Sequence, residues 1–210
     1  MILKNIYWYF NQALPPRLCD DIVQFGLKQK KEMALTGNFG KGRDLKKNPL
    51  TPLELAEQKQ RRNSSVSFIT GHWLYKEIHP YIHTANKNAG WNFQWDFTEA
   101  FQFTHYTPGQ YYGWHCDGFK GAYKEKKRFN YYAKIRKLSV VVSLSDGKDY
   151  KGGDLEFLSH NVKNKKVVCE SMRNRGSLIV FPSFIYHRII PVKKGTRYSL
   201  VGWSLGLPFK

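Results

Sequence analysis

The chain has 210 residues, with 34 Lys+Arg against 16 Asp+Glu for a net charge of +18, and is 41% hydrophobic and 16% aromatic. That length fits one domain, and the aromatic-rich apolar content excludes a disordered chain and favours a packed core with β structure. No apolar run approaches the roughly 20 residues of a membrane-spanning helix, and three scattered cysteines (Cys19, Cys116, Cys169) give neither a disulfide framework nor a CxxC zinc pattern.

The N-terminus, MILKNIYWYF, lacks the long apolar region of a secretory leader, so the expectation is a cytoplasmic protein in a reducing compartment with no membrane partner. Next, LPPRLCDDIVQFGLKQ predicts a turn and then a helix, with Pro15 and Pro16 at its start and Ile22, Val23, Phe25 and Leu27 available to cover a sheet. Residues 34–60 mix glycine, proline and charge with little periodicity until PLELAEQ, which predicts a long mobile loop closing in a short helix. SSVSFI predicts a strand, and Leu74, Ile78, Ile82 and Ala85 recur at helical spacing, which predicts a helix from about Trp73 to Ala89.

From Trp91 onward the pattern changes to short β-branched or aromatic runs broken by turn residues: NFQWDF, AFQFTHY, QYYGWHC, KLSVVVSLS, DLEFL, KVVCES, SLIVFP, HRIIPV and RYSLVGWS. About eight strands at this spacing predict an antiparallel sandwich or barrel. The polar DGFKGAYKEKKRFN reads as a surface loop. The expected organisation is a single domain over 1–210, with a helical flank and the mobile loop 34–60 within 1–90 and a β core over 91–210. The basic clusters KQKK (28–31), KEKKR (124–128), KIRK (134–137) and KNKK (163–166) suit a polyanionic partner, against the plainer reading of a solvated surface.

Within YTPGQYYGWHCDG, His115 and Asp117 stand two apart, so a strand would point both to one face and turn Cys116 away. Alone this HxD pair is a weak motif and needs a third ligand. His187, directly after the apolar SLIVFP segment, is the best candidate. Two imidazoles and one carboxylate form the set that holds Fe(II) with positions left open, although zinc hydrolysis uses similar ligands. Arg197, across a KKG turn from His187, can clamp a carboxylate bidentately, and Ser199 on its face adds a hydroxyl. A zinc hydrolase has no evident need for this arginine. A 2-oxo acid that chelates iron and anchors a second carboxylate on an arginine does, and 2-oxoglutarate is such a ligand.

Together these stretches resemble the Fe(II)- and 2-oxoglutarate-dependent oxygenases, specifically the prolyl hydroxylase and PKHD-type branch. YTPGQYYGWHCD fits Y-x-x-G-Q-x-Y-x-x-H-x-D, RKLSVVVSLSD with YKGGDLEF fits the arginine-led strand and GG-[DE]-L turn, and HRIIPVKKGTRYSLVGW fits H-x-x-x-P-V-x-x-G-x-R-[YF]-x-x-x-x-W. LPPRLCDDIV and FTEAFQFTHY match the family's first helix and first core strand more weakly, so the resemblance covers most of the chain. It implies a mainly β fold with flanking helices, a double-stranded β-helix or jelly roll. It also implies Fe(II) on His115, Asp117 and His187, with Arg197 on the 5-carboxylate of 2-oxoglutarate and Tyr106 hydrogen-bonded to that co-substrate. Tyr112 and Arg136 match positions that contact the peptide substrate, and Trp203 matches an aromatic lining the pocket.

The implied activity is hydroxylation of a prolyl residue in a protein or peptide, with O₂ consumed, succinate and CO₂ formed and ascorbate as reductant. The basic surface would suit an acidic or ribonucleoprotein-associated substrate. Two departures stand out: Ser143 replaces the co-substrate tyrosine of the hypoxia-sensing enzymes, and Arg197 replaces the lysine of the procollagen enzymes. The loop 34–60 lies where the hypoxia-sensing enzymes carry a substrate-covering loop. Oxidative demethylation of nucleic acid is an alternative that the +18 charge encourages, but no second arginine follows Arg197 as in AlkB-type demethylases. A non-catalytic basic module that binds nucleic acid is the other alternative, and the intact ligand set argues against it.

Overall fold

The computed structural model describes residues 3–36, 47–118, 121–127, 129–158 and 166–209. Ten of the residues in the expected mobile loop, 37–46, lie outside the described residues. In chain order the strands are β1 (Trp8–Phe10), β2 (Glu32–Met33), β3 (Arg62–Asn63), β4 (Ser65–Ile69), β5 (Phe97–Thr98), β6 (Phe101–Tyr106), β7 (Tyr111–His115) and β8 (Ile135–Ser143). They continue with β9 (Tyr150–Gly152), β10 (Leu155–Leu158), β11 (Lys166–Val168), β12 (Leu178–Pro182), β13 (His187–Ile189), β14 (Val192–Gly195) and β15 (Arg197–Gly206). Three α-helices among the described residues flank them: α1 (Pro16–Leu27), α2 (Pro52–Arg61) and α3 (His72–Asn88).

The major sheet runs β1-β12-β8-β15-β6-β4-β2, with β5 also on β15, and the minor sheet runs β11-β10-β13-β7-β3. A small ribbon pairs β14 with β9, and the neighbouring strands are antiparallel throughout. This is the antiparallel β architecture that the strand spacing predicts, with the flanking helices that the resemblance implies. No helix among the described residues is long and apolar enough to cross a membrane.

The period-two alternation of the strands splits the core in two. Leu138, Val140 and Val142 of β8, Leu178 and Val180 of β12 and Leu200 of β15 pack against Ile22 of α1 and Leu74, Ile78 and Ile82 of α3. Val141, Ile179 and Phe181 turn the other way and meet Leu155, Phe157 and Ile189 of the minor sheet. Helices α1 and α3 therefore hold the major sheet from outside, and the part of the inter-sheet space that this second core does not fill is left for a site. Gly26 lets α1 approach closely, because a Cβ there would lie 2.4 Å from the Phe103 ring. Helix α2 begins with a capping box in which Thr51 accepts from the Glu54 amide and Glu54 accepts from the Thr51 amide.

One expected strand is largely missing. Of NFQWDF only Phe97 joins a strand, and the preceding segment is instead fastened to the end of α3. The Asn86 side chain accepts from the Phe93 amide at 3.0 Å and donates to the Phe93 carbonyl at 2.9 Å, so an amide side chain takes the place of a neighbouring strand.

Candidate active site

The pairing of β7 with β13 sets His115 directly opposite His187, with ring centroids 4.1 Å apart. β7 ends at His115, so Asp117 is brought in by the bend that follows and not by strand alternation. That bend is fixed at two points: the Gly118 amide donates to the Ser183 carbonyl at 2.7 Å, and the Ser139 hydroxyl donates to Asp117 Oδ2 at 2.7 Å. Asp117 Oδ1 then lies 3.6 Å from His115 Nε2, and Oδ2 lies 3.7 Å from His187 Nε2. His115, Asp117 and His187 bring their ligand atoms within 4.8 Å of one another, the one such group of three or more among the described residues.

Hydrogen bonding assigns the protons. Nδ1 of His115 lies 2.8 Å from the Gly113 carbonyl and Nδ1 of His187 lies 2.9 Å from the Ile185 carbonyl. A carbonyl only accepts, so both Nδ1 atoms carry hydrogen, and in the neutral tautomer this fixes, the lone pair is on Nε2. Burial pushes His187 down to about 4, with His115 adding to the effect, so its ring is neutral near pH 7. Burial alone would raise Asp117, but His187 and His115, whenever their rings carry a proton, outweigh it and hold the carboxyl well below the usual range. Two imidazole Nε2 atoms and one carboxylate are the donor set that a divalent iron accepts.

A bulge shapes the wall beside these residues. Between the His187–His115 and Ile189–Tyr112 pairs, β7 has one more residue than β13, which leaves Tyr112 and His115 both facing the site. Their rings stack with centroids 3.4 Å apart, and the Arg62 guanidinium lies 4.3 Å from the Tyr112 ring. Burial pushes the Tyr112 phenol up to about 12.

Arg197, at 2% exposure one of the largest fully buried side chains, starts β15 opposite Tyr106 of β6. Its Nη1 donates to Ser199 Oγ at 3.2 Å, and no carboxylate among the described residues pairs with it. Gly153 makes room for it, since a Cβ there would sit 3.0 Å from Arg197 Cδ, and its φ of +68° suits glycine. A desolvated guanidinium with one hydroxyl partner is costly unless an anion joins it.

A second bulge places Arg136. Ser204 pairs with Leu138 but Leu205 pairs with Arg136, so Lys137 is the extra residue on β8. Regular alternation would turn Arg136 with Leu138 and Val140 toward the helices; the bulge turns it to the site. Its guanidinium lies 3.8 Å from the Trp203 ring and donates to both Glu99 oxygens at 2.7 and 2.8 Å. Tyr123 also donates to Glu99, at 3.0 Å. The buried indole N–H of Trp203 has no hydrogen-bond partner among the described residues.

All nine residues that the sequence singles out, Tyr106, Tyr112, His115, Asp117, Arg136, His187, Arg197, Ser199 and Trp203, line one cavity of about 1150 Å³. Ser143 is buried beside it, opposite Ser199, with its hydroxyl donating to the Ser145 carbonyl. Glu99 and Arg62 also line the cavity, and sequence reading passes over both. Glu99 precedes β6 without a motif of its own, and Arg62 hides in the charge run QKQRRN. A smaller hollow on α3, lined by His72, His79 and His83, holds none of the candidate residues.

Three comparisons place this geometry among known proteins. Residues 101–205 match the model of the 2OG-Fe(II) oxygenase superfamily. A PKHD-type hydroxylase of Synechococcus elongatus is 33% identical over 105 residues, which is 48% of this chain and 40% of that protein. A PKHD-type hydroxylase of Parvibaculum lavamentivorans is 33% identical over 102 residues, 49% of this chain and 40% of that protein. The chain thus matches about 40% of the length of these curated relatives. Among solved structures, a viral collagen prolyl hydroxylase from Paramecium Bursaria Chlorella virus-1, in a 2OG complex, superposes with TM-score 0.64 at 17% identity over 97% of this chain and 98% of that one. A Pseudomonas putida prolyl-4-hydroxylase gives 0.59 at 19% identity, over 96% and 92%. A Trichoplax adhaerens prolyl hydroxylase, in complex with a hypoxia inducible factor peptide fragment, gives 0.57 at 16% identity, over 96% and 84%. These likenesses establish the jelly-roll fold.

Proposed function

Because the chain belongs to the 2OG-Fe(II) oxygenase superfamily, we propose that it is an Fe(II)- and 2-oxoglutarate-dependent dioxygenase that hydroxylates prolyl residues of a protein or peptide. One observation carries the co-substrate: Arg197 is buried without a carboxylate partner among the described residues, in the same cavity as His115, Asp117 and His187. A dicarboxylate that reaches both satisfies the cation and the metal together.

In this reading His115, Asp117 and His187 hold Fe(II), which with 2-oxoglutarate and O₂ supplies the oxidising power to insert oxygen into a C–H bond, leaving succinate and CO₂. The chain supplies position and dryness. The Gly113 and Ile185 carbonyls keep each Nδ1 proton in place, so both Nε2 atoms stay free to bind metal. Arg197 and Ser199 anchor the distal carboxylate, and the Tyr106 phenol is the further donor at that end. Val141, Leu155, Ile189 and Val201 form apolar walls that exclude water. Ascorbate serves as the reductant that keeps the iron divalent.

Tyr112 and Trp203 line the cavity where a proline ring would sit, and the Trp203 N–H, without a partner among the described residues, offers a donor to a peptide carbonyl. Arg136, held by Glu99, lies over the Trp203 ring and faces the cavity as a further substrate contact. The likeness to a viral collagen prolyl hydroxylase and to a prolyl hydroxylase in complex with a hypoxia inducible factor peptide favours peptide over other substrates. The charge of +18 favours an acidic or ribonucleoprotein-associated partner. The whole of 1–210 serves as one catalytic domain in this account.

The test incubates purified protein with Fe(II), ascorbate, 2-oxoglutarate and proline-containing peptides or proteins, and fragments the products by mass spectrometry. The reading expects the mass of one oxygen atom gained on a prolyl residue. Turnover of another substrate with no proline modified in any peptide would overturn it.

A further inference from the structure

Asp117 is the member of the cluster that no strand holds, and the structure shows what holds it instead. Ser139 and Ser183 have no exposed surface, and both belong to the major sheet or its edge: Ser139 sits in β8 opposite Phe181 and Trp203, and Ser183 follows β12. Ser139 Oγ is 2.7 Å from Asp117 Oδ2 and 2.9 Å from Ser183 Oγ. A hydroxyl has one hydrogen to give. The ionised carboxylate only accepts, so that hydrogen belongs to the Ser139–Asp117 bond, and Ser183 must donate to Ser139. The result is a directed chain, Ser183 to Ser139 to Asp117, of the kind whose bonds strengthen one another. Ser183 closes the arrangement from the other side by accepting from the Gly118 amide.

We propose that Ser139, oriented by Ser183, is a positioning residue for the metal centre: it occupies Oδ2 of Asp117 and so presents Oδ1 as the oxygen for the metal. This rests on the metal-binding reading of His115, Asp117 and His187. Without the hydroxyl, a carboxylate beyond the end of β7 is free to rotate, and both oxygens are then open to the neighbouring histidines. A purely structural serine pair would instead satisfy two buried hydroxyls with each other and leave Asp117 alone, which the 2.7 Å bond contradicts.

The test is calorimetric titration of the metal-free full chain with Mn(II), which binds such oxygen and imidazole sites without reacting with O₂. Outer-sphere partners of metal ligands typically contribute 10–100-fold in affinity. Ser139→Ala is expected to weaken Mn(II) binding by ~10–100-fold, with Ser139→Thr, which keeps the hydroxyl, restoring it to within a few-fold. Ser183→Ala is expected to weaken binding less than Ser139→Ala. The thermal midpoint of each metal-free variant separates this from loss of fold: the proposal requires the metal-induced rise in midpoint to shrink in Ser139→Ala. Unchanged Mn(II) affinity in Ser139→Ala, or equal weakening in Ser139→Thr, would overturn it. Should Ser139→Ala not fold, full Mn(II) affinity in Ser183→Ala overturns it and weakened affinity upholds it. Absence of Mn(II) binding by the unaltered chain is a different failure, that of the metal-centre reading itself.

Discussion

Arg197 on β15 lies directly across from Tyr106 on β6, its guanidinium carbon 5.5 Å from the phenol ring, with the Ser199 hydroxyl as its hydrogen-bond partner. A cation sealed this way awaits an anion, and the consequence is measurable as linkage. A ligand present at about 100 times its Kd stabilises the native state by about 2.7 kcal/mol, which is roughly 5–10 °C in thermal midpoint for a chain of this size. With Mn(II) present, 2-oxoglutarate is expected to give a rise of that order, and pyruvate, which lacks the distal carboxylate, very little. Arg197→Met is expected to lose the 2-oxoglutarate response while keeping the response to Mn(II). A full response in Arg197→Met would count against its role.

The cluster itself predicts a strict metal requirement. Replacing His115, Asp117 or His187 by Ala removes a ligand and not merely an outer hydrogen bond, so the loss of metal affinity should exceed ~100-fold. Chelation with EDTA is expected to abolish turnover, and added Fe(II) to restore it. A variant lacking any one of the three that still binds metal with native affinity would show that the residue is not a ligand.

Acid should weaken the metal-free protein through His187. Burial lowers its pKa from 6.5 to about 4, so as pH falls below 6.5 the unfolded chain takes up a proton that the folded chain refuses. Stability is therefore complete above 6.5 and declines between 6.5 and 4, by about 3 kcal/mol at most. Urea unfolding of EDTA-treated protein across that range should show the slope, and His187→Gln should flatten it. An unchanged slope in the variant assigns the acid sensitivity elsewhere.

Glu99 and Arg136 form a largely buried bidentate pair against Trp203. Removing one member of such a pair costs about 3–5 kcal/mol, whereas replacing both with apolar groups is often neutral. Glu99→Ala is expected to lose stability on that scale, and Glu99→Leu with Arg136→Met to recover most of it. The double variant should keep 2-oxoglutarate binding but turn over peptide poorly, because the wall beside Trp203 has changed. Unimpaired peptide turnover in the double variant would confine the pair to a structural role.

Much of this site is legible in the sequence, because its residues follow simple spacing. His115 and Asp117 stand two apart, and Arg197, Ser199 and Trp203 share one face of β15, an alternation that survives folding. What escapes is everything that depends on register. The extra residue on β7 that keeps Tyr112 with His115, and the extra Lys137 that turns Arg136 inward, are counted only once the partner strands are known. Asp117 reaches the site through a bend and not through alternation, so the right residue emerges from an incomplete geometric reason. Arg62, Glu99, Ser139 and Ser183 are ordinary residue types whose partners are distant or outside any motif. NFQWDF carries a strand's composition, but the Asn86 amide claims the Phe93 backbone first.

The most direct measurement is the conversion of 2-oxoglutarate to succinate by the chain with Fe(II) and ascorbate, followed without peptide in the native protein and in His115→Ala and Arg197→Met. The account predicts slow turnover in the native protein, none in His115→Ala, and a rise in KM for 2-oxoglutarate of ~100-fold in Arg197→Met, the scale of losing two charge-assisted hydrogen bonds. Succinate formed by His115→Ala at the native rate, or an unchanged KM in Arg197→Met, would contradict it.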